Sequence, residues 1–519
     1  MPEKSPFYIT TALSYPNGPP HIGHAYEIVT TDIIARFMRL AGREVFFLTG
    51  TDDYGQKMYR TAQGKNMSPQ AFADKMAPQF RRMGEQFLCE PNDFIRTSEP
   101  RHHRAVQFLW QQLQEAGAIF RQNYEGWYSV AEEAYVSEED SVRHADGRVT
   151  DREGRELTWL AEPCYYFRLS AWQKPLLEFY EAHPQFLQPP TARREVLAFV
   201  RRGLKDIAIS RSSFPWGVPV PNDSEHIVYV WLDALTNYIS ALGYPDTEAE
   251  RWKTFWPASL HVIGKDITRF HAIFWLAFLL AAKLPLPQQI FAHGWFLSSG
   301  GEKMSKSRGN VLNPADLLAA CGAESLRFFL AREIPFGRDG QISERAVKMR
   351  YNAELANDLG NLAQRCLTMV QKNLGGTLPR PQNLPAAERA LLARCDGLGA
   401  RCAQAMETYA LARYLEEVMA LVAACNRYFA AAAPWTLKSE PERCAAVLYV
   451  AAECLRQSAI LLQPVLPTSM ARLLDLLGVE ADAREFAQLG ERHRLAGGVL
   501  PPPQILFPRQ DMPESERPA

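Results

Sequence analysis

The first fifty residues constrain the fold more than any other part of the chain. The run "FYITTAL" (7–13) is apolar and rich in β-formers, so it reads as a buried strand. "YPNGPP" breaks it, with Asn17–Gly18 set among prolines as a turn. "HIGHAYEIVTTDIIARFMRLAGR" then places Ile28, Ile33, Ile34, Phe37 and Leu40 at helical spacing and closes at Gly42. "EVFFLTGTDD" (44–53) is a second continuous apolar strand, and it ends in two acids. A strand, a helix and a strand joined by short links form a right-handed βαβ unit. The strands are then parallel, and a ligand crevice forms at their C-terminal ends.

The rest of the chain is read from that start. Residues 1–115 form the first half of a Rossmann-like, doubly wound α/β domain. From 116 to 225 short aromatic strands ("EGWYSV", "CYYFRL") alternate with charged turns, the pattern of an α+β connective insertion. The α/β alternation resumes over 226–293 with "IVYVWLDAL", the strand "LHVIGKD", a helix at 269–283 and the strand "QIFAHGWFL". A linking region follows at 294–345. Strand signals vanish after about 345, and 346–508 reads as a helical bundle with Pro/Gly breaks. The polar tail 509–519 is expected to be disordered.

Composition excludes little. The chain has 519 residues, 47% of them apolar and 22% charged, ample for several cores. A formal charge of −1 neither requires nor forbids a nucleic-acid partner. The nine cysteines are scattered and never fall as C-x-x-C, which argues for reduced thiols and against a disulfide framework or a zinc site. The start of the chain lacks a signal core and an arginine-rich transit pattern, so a cytoplasmic location is expected. The longest uninterrupted apolar run, 272–282, is short of the roughly 20 residues that span a bilayer, so no membrane association is expected.

Two segments carry chemistry. In "PNGPPHIGH", His21 and His24 stand where a turn exposes the first N–H groups of a helix, a natural seat for an anion. Gly23 allows close backbone approach, and both imidazoles can donate to phosphate oxygens. A capping or packing role for either histidine fits the spacing equally well. In "GGEKMSKSRGN" (300–310), glycines flank Lys303, Lys306 and Arg308. Such a loop is either a solvated turn or a flap that swings over a polyphosphate. No G-x-x-x-x-G-K-[ST] occurs, so this is not a P-loop site.

"HIGH" after the first strand and "KMSKS" after the last resemble the class I aminoacyl-tRNA synthetases. "YITTALSYPNGPPHIGHAYE", "LTGTDDYGQK", "EGWYSVAEEAYV", "VYVWLDALTNY", "GKDITRFH", "FAHGWFL" and "NDLGNLAQR" narrow the resemblance to the methionyl-tRNA synthetase family, over residues 5 to about 470. The resemblance implies ATP-dependent activation of L-methionine to methionyl-adenylate, then transfer to tRNA(Met), including initiator tRNA. It also implies ATP entering with Mg2+. It makes 294–345 a stem-contact region with the KMSKS loop and 346–508 the anticodon-binding domain. His21, His24, Lys303 and Lys306 become catalytic. Tyr15, Gly23, Gly264, Asp266 and Gly294 join His21, His24 and Lys306 in binding ATP. Ala12, Leu13, Tyr15, Asp52, Trp231, Ala234, Tyr238 and His271 would enclose methionine, with Asp52 on the ammonium. Asn361, Arg365 and Trp435 would read the anticodon.

The sequence also departs from the family. Leu235 stands where one branch has proline, and Tyr54 where many members have histidine; no role is carried onto either. Several branches bind zinc in the insertion through C-x-x-C pairs, whereas here only Cys164 is nearby, so a metal-free knuckle is expected. A monomer is expected because no appended C-terminal dimerisation domain is evident. Two other readings stay open at this point: a related synthetase of changed specificity, and a tRNA-binding paralogue without catalysis.

Overall fold

The computed structural model describes residues 5–130, 134–136, 138–297, 312–437 and 439–512. Among these, six strands make one parallel sheet. At its centre β1 (Phe7–Thr10) pairs on one side with β2 (Val45–Thr51), through Phe7↔Val45 and Thr10↔Leu48, and on the other with Leu260–Gly264, through Ile9↔Leu260. β3 (Asp93–Arg96) extends the first side. Ile290–His293 and then Leu187–Gln188 extend the second. Strand order therefore reverses between β1 and Leu260–Gly264, and the crevice at their C-terminal ends is the topological switch point.

Helix α1 (Ile22–Leu40) returns the chain from β1 to β2. Its Ile22, Val29, Ile33 and Phe37 are buried, as the helical spacing demands. The strands are shorter than their apolar runs. Beyond Thr10 the chain stays extended, with the Thr11 N–H on Leu48 O and the Ala12 N–H on Val262 O. "QIFAHGWFL" is not one strand: it breaks after His293, and Phe296–Leu297 pairs instead with Gly340–Gln341. The break comes from a long-range contact. At Gly294 an added Cβ would lie 2.2 Å from Arg338 O, so the 338–339 backbone crosses at that point.

In the insertion, Ile119–Ser129 and Thr158–Phe167 form a long antiparallel ribbon pairing Trp127 with Trp159. Leu187–Gln188 lies in the span read as insertion yet closes the edge of the central sheet. The bundle's axis is Pro441–Leu462, a helix apolar enough to cross a membrane by length and composition but buried throughout inside the protein. Residues 509–512 correct the expected disordered tail: the Gln510 N–H donates to Asn352 Oδ1 at 2.9 Å, and its side-chain amide donates to Cys321 O at 2.8 Å. The remainder of that tail, 513–519, lies outside the described residues.

Candidate active site

The site begins at the junction of β1 and α1. His21 is the N-cap of α1, and its Nδ1 accepts the Gly23 N–H at 3.2 Å. Nδ1 of His24 accepts the His21 N–H at 3.1 Å, completing a reciprocal cap built from imidazoles. The rings stack with centroids 3.7 Å apart. A neutral imidazole whose Nδ1 accepts must carry its proton on Nε2. Both rings therefore hold an Nε2–H donor at the positive end of the helix dipole. Capping, one of the two alternatives left by the spacing, is thus observed and uses Nδ1 of each ring, so it does not compete for the Nε2–H that the anion-binding alternative needs. Gly23 has a local reason: a Cβ there would come within 3.0 Å of the His21 ring.

Beside this turn lies a cavity of about 260 Å³. Ala12, Leu13, Tyr15, Asp52, Trp231, Ala234, Tyr238 and His271 all line it, together with Asp266, Asn237 and Ile267. The strand ends supply Ala12, Leu13 and Asp52. Helix Val230–Leu235 supplies Trp231 and Ala234, and helix Asn237–Ser240 supplies Tyr238. His271 lies in a π-helical turn, Phe270–Trp275, a wide turn that recurs at functional sites. Asp52 is buried, and its Oδ1 accepts from the Tyr54 N–H at 3.3 Å. Asp53 instead forms an ion pair with Arg96 at 2.7 Å away from the cavity, whereas Asp52 lines the wall, as does Asp266. Trp231 stacks on Phe270 with centroids 3.6 Å apart. The Tyr15 hydroxyl accepts the Met58 N–H at 3.2 Å.

His271 is oriented by hydrogen bonds at both nitrogens. Nδ1 lies 3.1 Å from Ile267 O, a group that only accepts, so Nδ1 is protonated. Nε2 then accepts the Tyr238 hydroxyl at 2.7 Å. Burial pushes the His271 pKa down to about 4, so the imidazole is neutral at pH 7.

Sequence reasoning missed Glu27 and His293. Glu27 Oε1 accepts the Ala12 N–H at 3.0 Å and Oε2 pairs with His293 Nε2 at 2.9 Å, which ties the cavity wall to the second turn of α1. Burial raises the Glu27 pKa, with His293 pulling it back; burial opposes protonation of His293, but the Glu27 carboxylate outweighs this and raises it. The i, i+3 spacing from His24 to Glu27, on one helix face, was the available signal. Gly264 ends the adjoining strand and Asp266 follows it, so that a Cβ on Gly264 would meet Asp266 Oδ1 at 2.6 Å. Lys303 and Lys306 lie outside the described residues. The chain approaches that segment at Phe296, whose ring packs edge-on against Tyr26 of α1 at 5.1 Å.

In the bundle, Asn361 and Arg365 lie one turn apart on helix Asn361–Leu374. The Arg365 guanidinium donates to Asn426 Oδ1 at 2.9 Å and covers the Phe429 ring at 5.3 Å. Trp435 sits beside Phe429 at 6.5 Å and is 48% exposed, too open for a buried staple. Asn426 and Phe429, not singled out from sequence, hold this cluster together. Cys164 is buried with its Sγ 3.6 Å from Ser210 O. Among the described residues no group of three or more His, Cys, Asp or Glu is placed to hold a metal.

A doubly wound sheet with paired imidazoles at its first helix and a trailing bundle defines the architecture of a class I synthetase. The family model for "tRNA synthetases class I (M)" matches residues 7–367, and that for "Anticodon binding domain of methionyl tRNA ligase" matches residues 378–514. The chain is 51% identical to a methionine–tRNA ligase of Brucella suis, over 97% of this chain and 98% of that protein. It is 50% identical to that of Rhizobium meliloti, over 99% and 100%. A solved Mycobacterium tuberculosis methionyl-tRNA synthetase in complex with methionyl-adenylate superposes with a TM-score of 0.95 at 46% identity, covering 97% of this chain and 100% of that one. The chain belongs to the methionyl-tRNA synthetases of class I.

Proposed function

We propose that this methionine–tRNA ligase carries out both steps at the switch-point crevice, with methionine in the cavity and ATP on the N-terminus of α1. The observation that carries the reading is the joint between them: one cavity holds Asp52 and a largely apolar wall, and Glu27 binds its Ala12 edge to the helix that begins at His21. Asp52 takes the substrate ammonium, and Trp231, Tyr238 and His271 face the thioether, whose polarizable sulfur suits aromatic edges. The methionine carboxylate oxygen attacks the α-phosphorus, the bond to the β-phosphate bridging oxygen breaks, and pyrophosphate leaves. A hydroxyl of the tRNA's terminal adenosine then attacks the acyl carbon and releases AMP. The enzyme supplies position and charge rather than a nucleophile. The Nε2–H groups of His21 and His24 face the phosphates with Lys303 and Lys306, and Mg2+ travels on the ATP. Tyr15, Gly23, Gly264, Asp266 and Gly294 frame the nucleotide.

For the tRNA, the half-exposed Trp435 offers a stacking face beside the Arg365 donors, the combination by which unpaired bases are read. Charging of initiator tRNA tests this. Trp435→Ala is expected to raise the KM for tRNA while methionine-dependent ATP–pyrophosphate exchange stays near the parent value. An unchanged KM overturns the anticodon assignment. The reading extends to a metal-free knuckle and a cytosolic location, in keeping with nine cysteines that are free and buried, and to a monomer. Stoichiometric zinc by elemental analysis, or a dimer mass at sedimentation equilibrium, overturns the corresponding part.

A further inference from the structure

Arg327 lies where three parts of the molecule meet. It sits on helix Ala323–Arg332, is fully buried, and shares its donors among separate elements. Nη2 pairs with Asp32 Oδ2 on α1 at 2.8 Å and also donates to Pro464 O at 2.6 Å. Nε donates to Val465 O at 3.0 Å, and Nη1 to Phe87 O at 3.0 Å. Asp32, equally buried, accepts in addition from Arg36 Nε at 2.8 Å and from the Glu90 N–H at 2.9 Å. Pro464 and Val465 join the bundle's axial helix, Pro441–Leu462, to the next helix, Pro467–Leu476. Glu324, on Arg327's own helix, caps that second helix by accepting the N–H groups of Thr468 at 2.7 Å and Ser469 at 3.1 Å.

A buried guanidinium is costly unless every donor is met, and an apolar residue of similar size would often stabilise as well or better. What the arginine adds here is geometry. Its fork fixes two bundle carbonyls against one carboxylate of α1. From that fork the contacts run in both directions. Helix Pro441–Leu462 packs on Asn361–Leu374, with Cys366 Sγ 3.5 Å from Leu448 O, and that helix bears Asn361 and Arg365. In the other direction α1 begins at the imidazole pair. One continuous apolar core, from Ile9 and Ile33 to Leu448 and Leu461, surrounds the joint.

We propose that Arg327 is a positioning residue for tRNA charging. It fastens the anticodon-binding bundle to the helix that carries the phosphate-binding imidazoles, so that grip on the anticodon sets where the terminal adenosine arrives. The inference rests on the ligase reading above. Among the described residues none of Arg327's hydrogen-bond partners lines the methionine cavity, so its effect belongs to the second step and not to the first.

The test compares Arg327→Met, Arg327→Lys and Glu324→Gln with the parent enzyme in three assays: methionine-dependent exchange, charging of full-length tRNA, and affinity for an isolated anticodon stem-loop. For Arg327→Met, exchange and stem-loop affinity are expected to stay within about twofold, while kcat/KM for charging falls about tenfold, the size typical of coupling between distant sites. Arg327→Lys should lie between the two. Glu324→Gln loosens the same joint without emptying it, so it carries the same split if Arg327→Met does not fold. Equal falls in exchange and charging would mean a merely structural role and overturn the proposal, as would undiminished charging. A parent enzyme that neither exchanges nor charges would instead overturn the ligase reading.

Discussion

On the proposed assignment, Tyr238 and His271 bear on what the cavity can recognise. Each satisfies the other, with the tyrosine hydroxyl donating to Nε2. Neither group is therefore left demanding a polar partner from the substrate, and on the proposed assignment what these two side chains select is shape. Shape separates side chains differing by one methylene-sized group by only about 1–3 kcal/mol. Homocysteine is accordingly expected to support ATP–pyrophosphate exchange with kcat/KM roughly 10–200-fold below methionine. Discrimination of 10⁴ or more, about that of sites built to hydrogen-bond their substrate, would contradict this account. Buried histidines set a pH dependence: His271, and His102, whose ring nitrogens meet Ser240 Oγ at 2.9 Å and Asp233 Oδ1 at 2.8 Å. Burial pushes His271 down to about 4 from an ordinary 6.5, and His102 down to about 3. Between these values and 6.5 the unfolded chain binds more protons than the folded one, so stability is complete above about 6.5 and declines as pH falls. His293, raised by Glu27, pulls the other way, so the two lowered histidines must outweigh it. Urea midpoints should be lower at pH 5 than at pH 7.5; equal or higher midpoints at pH 5 would contradict that balance.

At the scale of elements, the first turn of α1 caps its helix and, on the proposed reading, also binds phosphate, two roles that substitution can separate. Asparagine is a good N-cap, so His21→Asn keeps an acceptor for the helix N–H groups while removing the Nε2–H donor. Its thermal midpoint should stay close to the parent's, while exchange falls by about 10²–10³, the usual cost of one preorganised donor. Loss of both together would make His21 a cap and nothing more. Elements were legible in the sequence where their cause is local. The βαβ start and α1 follow from periodicity and turn residues, and His24 and His21 from their place after β1. The split after His293 was not legible, because it depends on Arg338–Asp339 crossing at Gly294, forty-odd residues away in sequence. Leu187–Gln188 was hidden likewise: two residues carry no period, and only Ile290 and Phe291 beside them make a strand.

For the whole molecule, the cavity residues carried over by resemblance come together in one place, from strand ends and helices as much as 259 residues apart, from Ala12 to His271. What resemblance did not carry is the support around them: Glu27 under Ala12, Asn426 behind Arg365, Arg327 between α1 and the bundle. Each is a polar side chain whose partner lies far along the chain, and no spacing rule announces such pairs. The central claim is that a methionine held in this cavity attacks an ATP gripped between the α1 imidazoles and the lysines at 303 and 306. Methionine-dependent ATP–pyrophosphate exchange, run on the parent and on Lys306→Ala, tests it most directly. The account predicts robust exchange with methionine and a loss of about 10²–10³ in the variant, with methionine affinity nearly unchanged. Absence of methionine-dependent exchange in the parent, or full exchange in the variant, would contradict it.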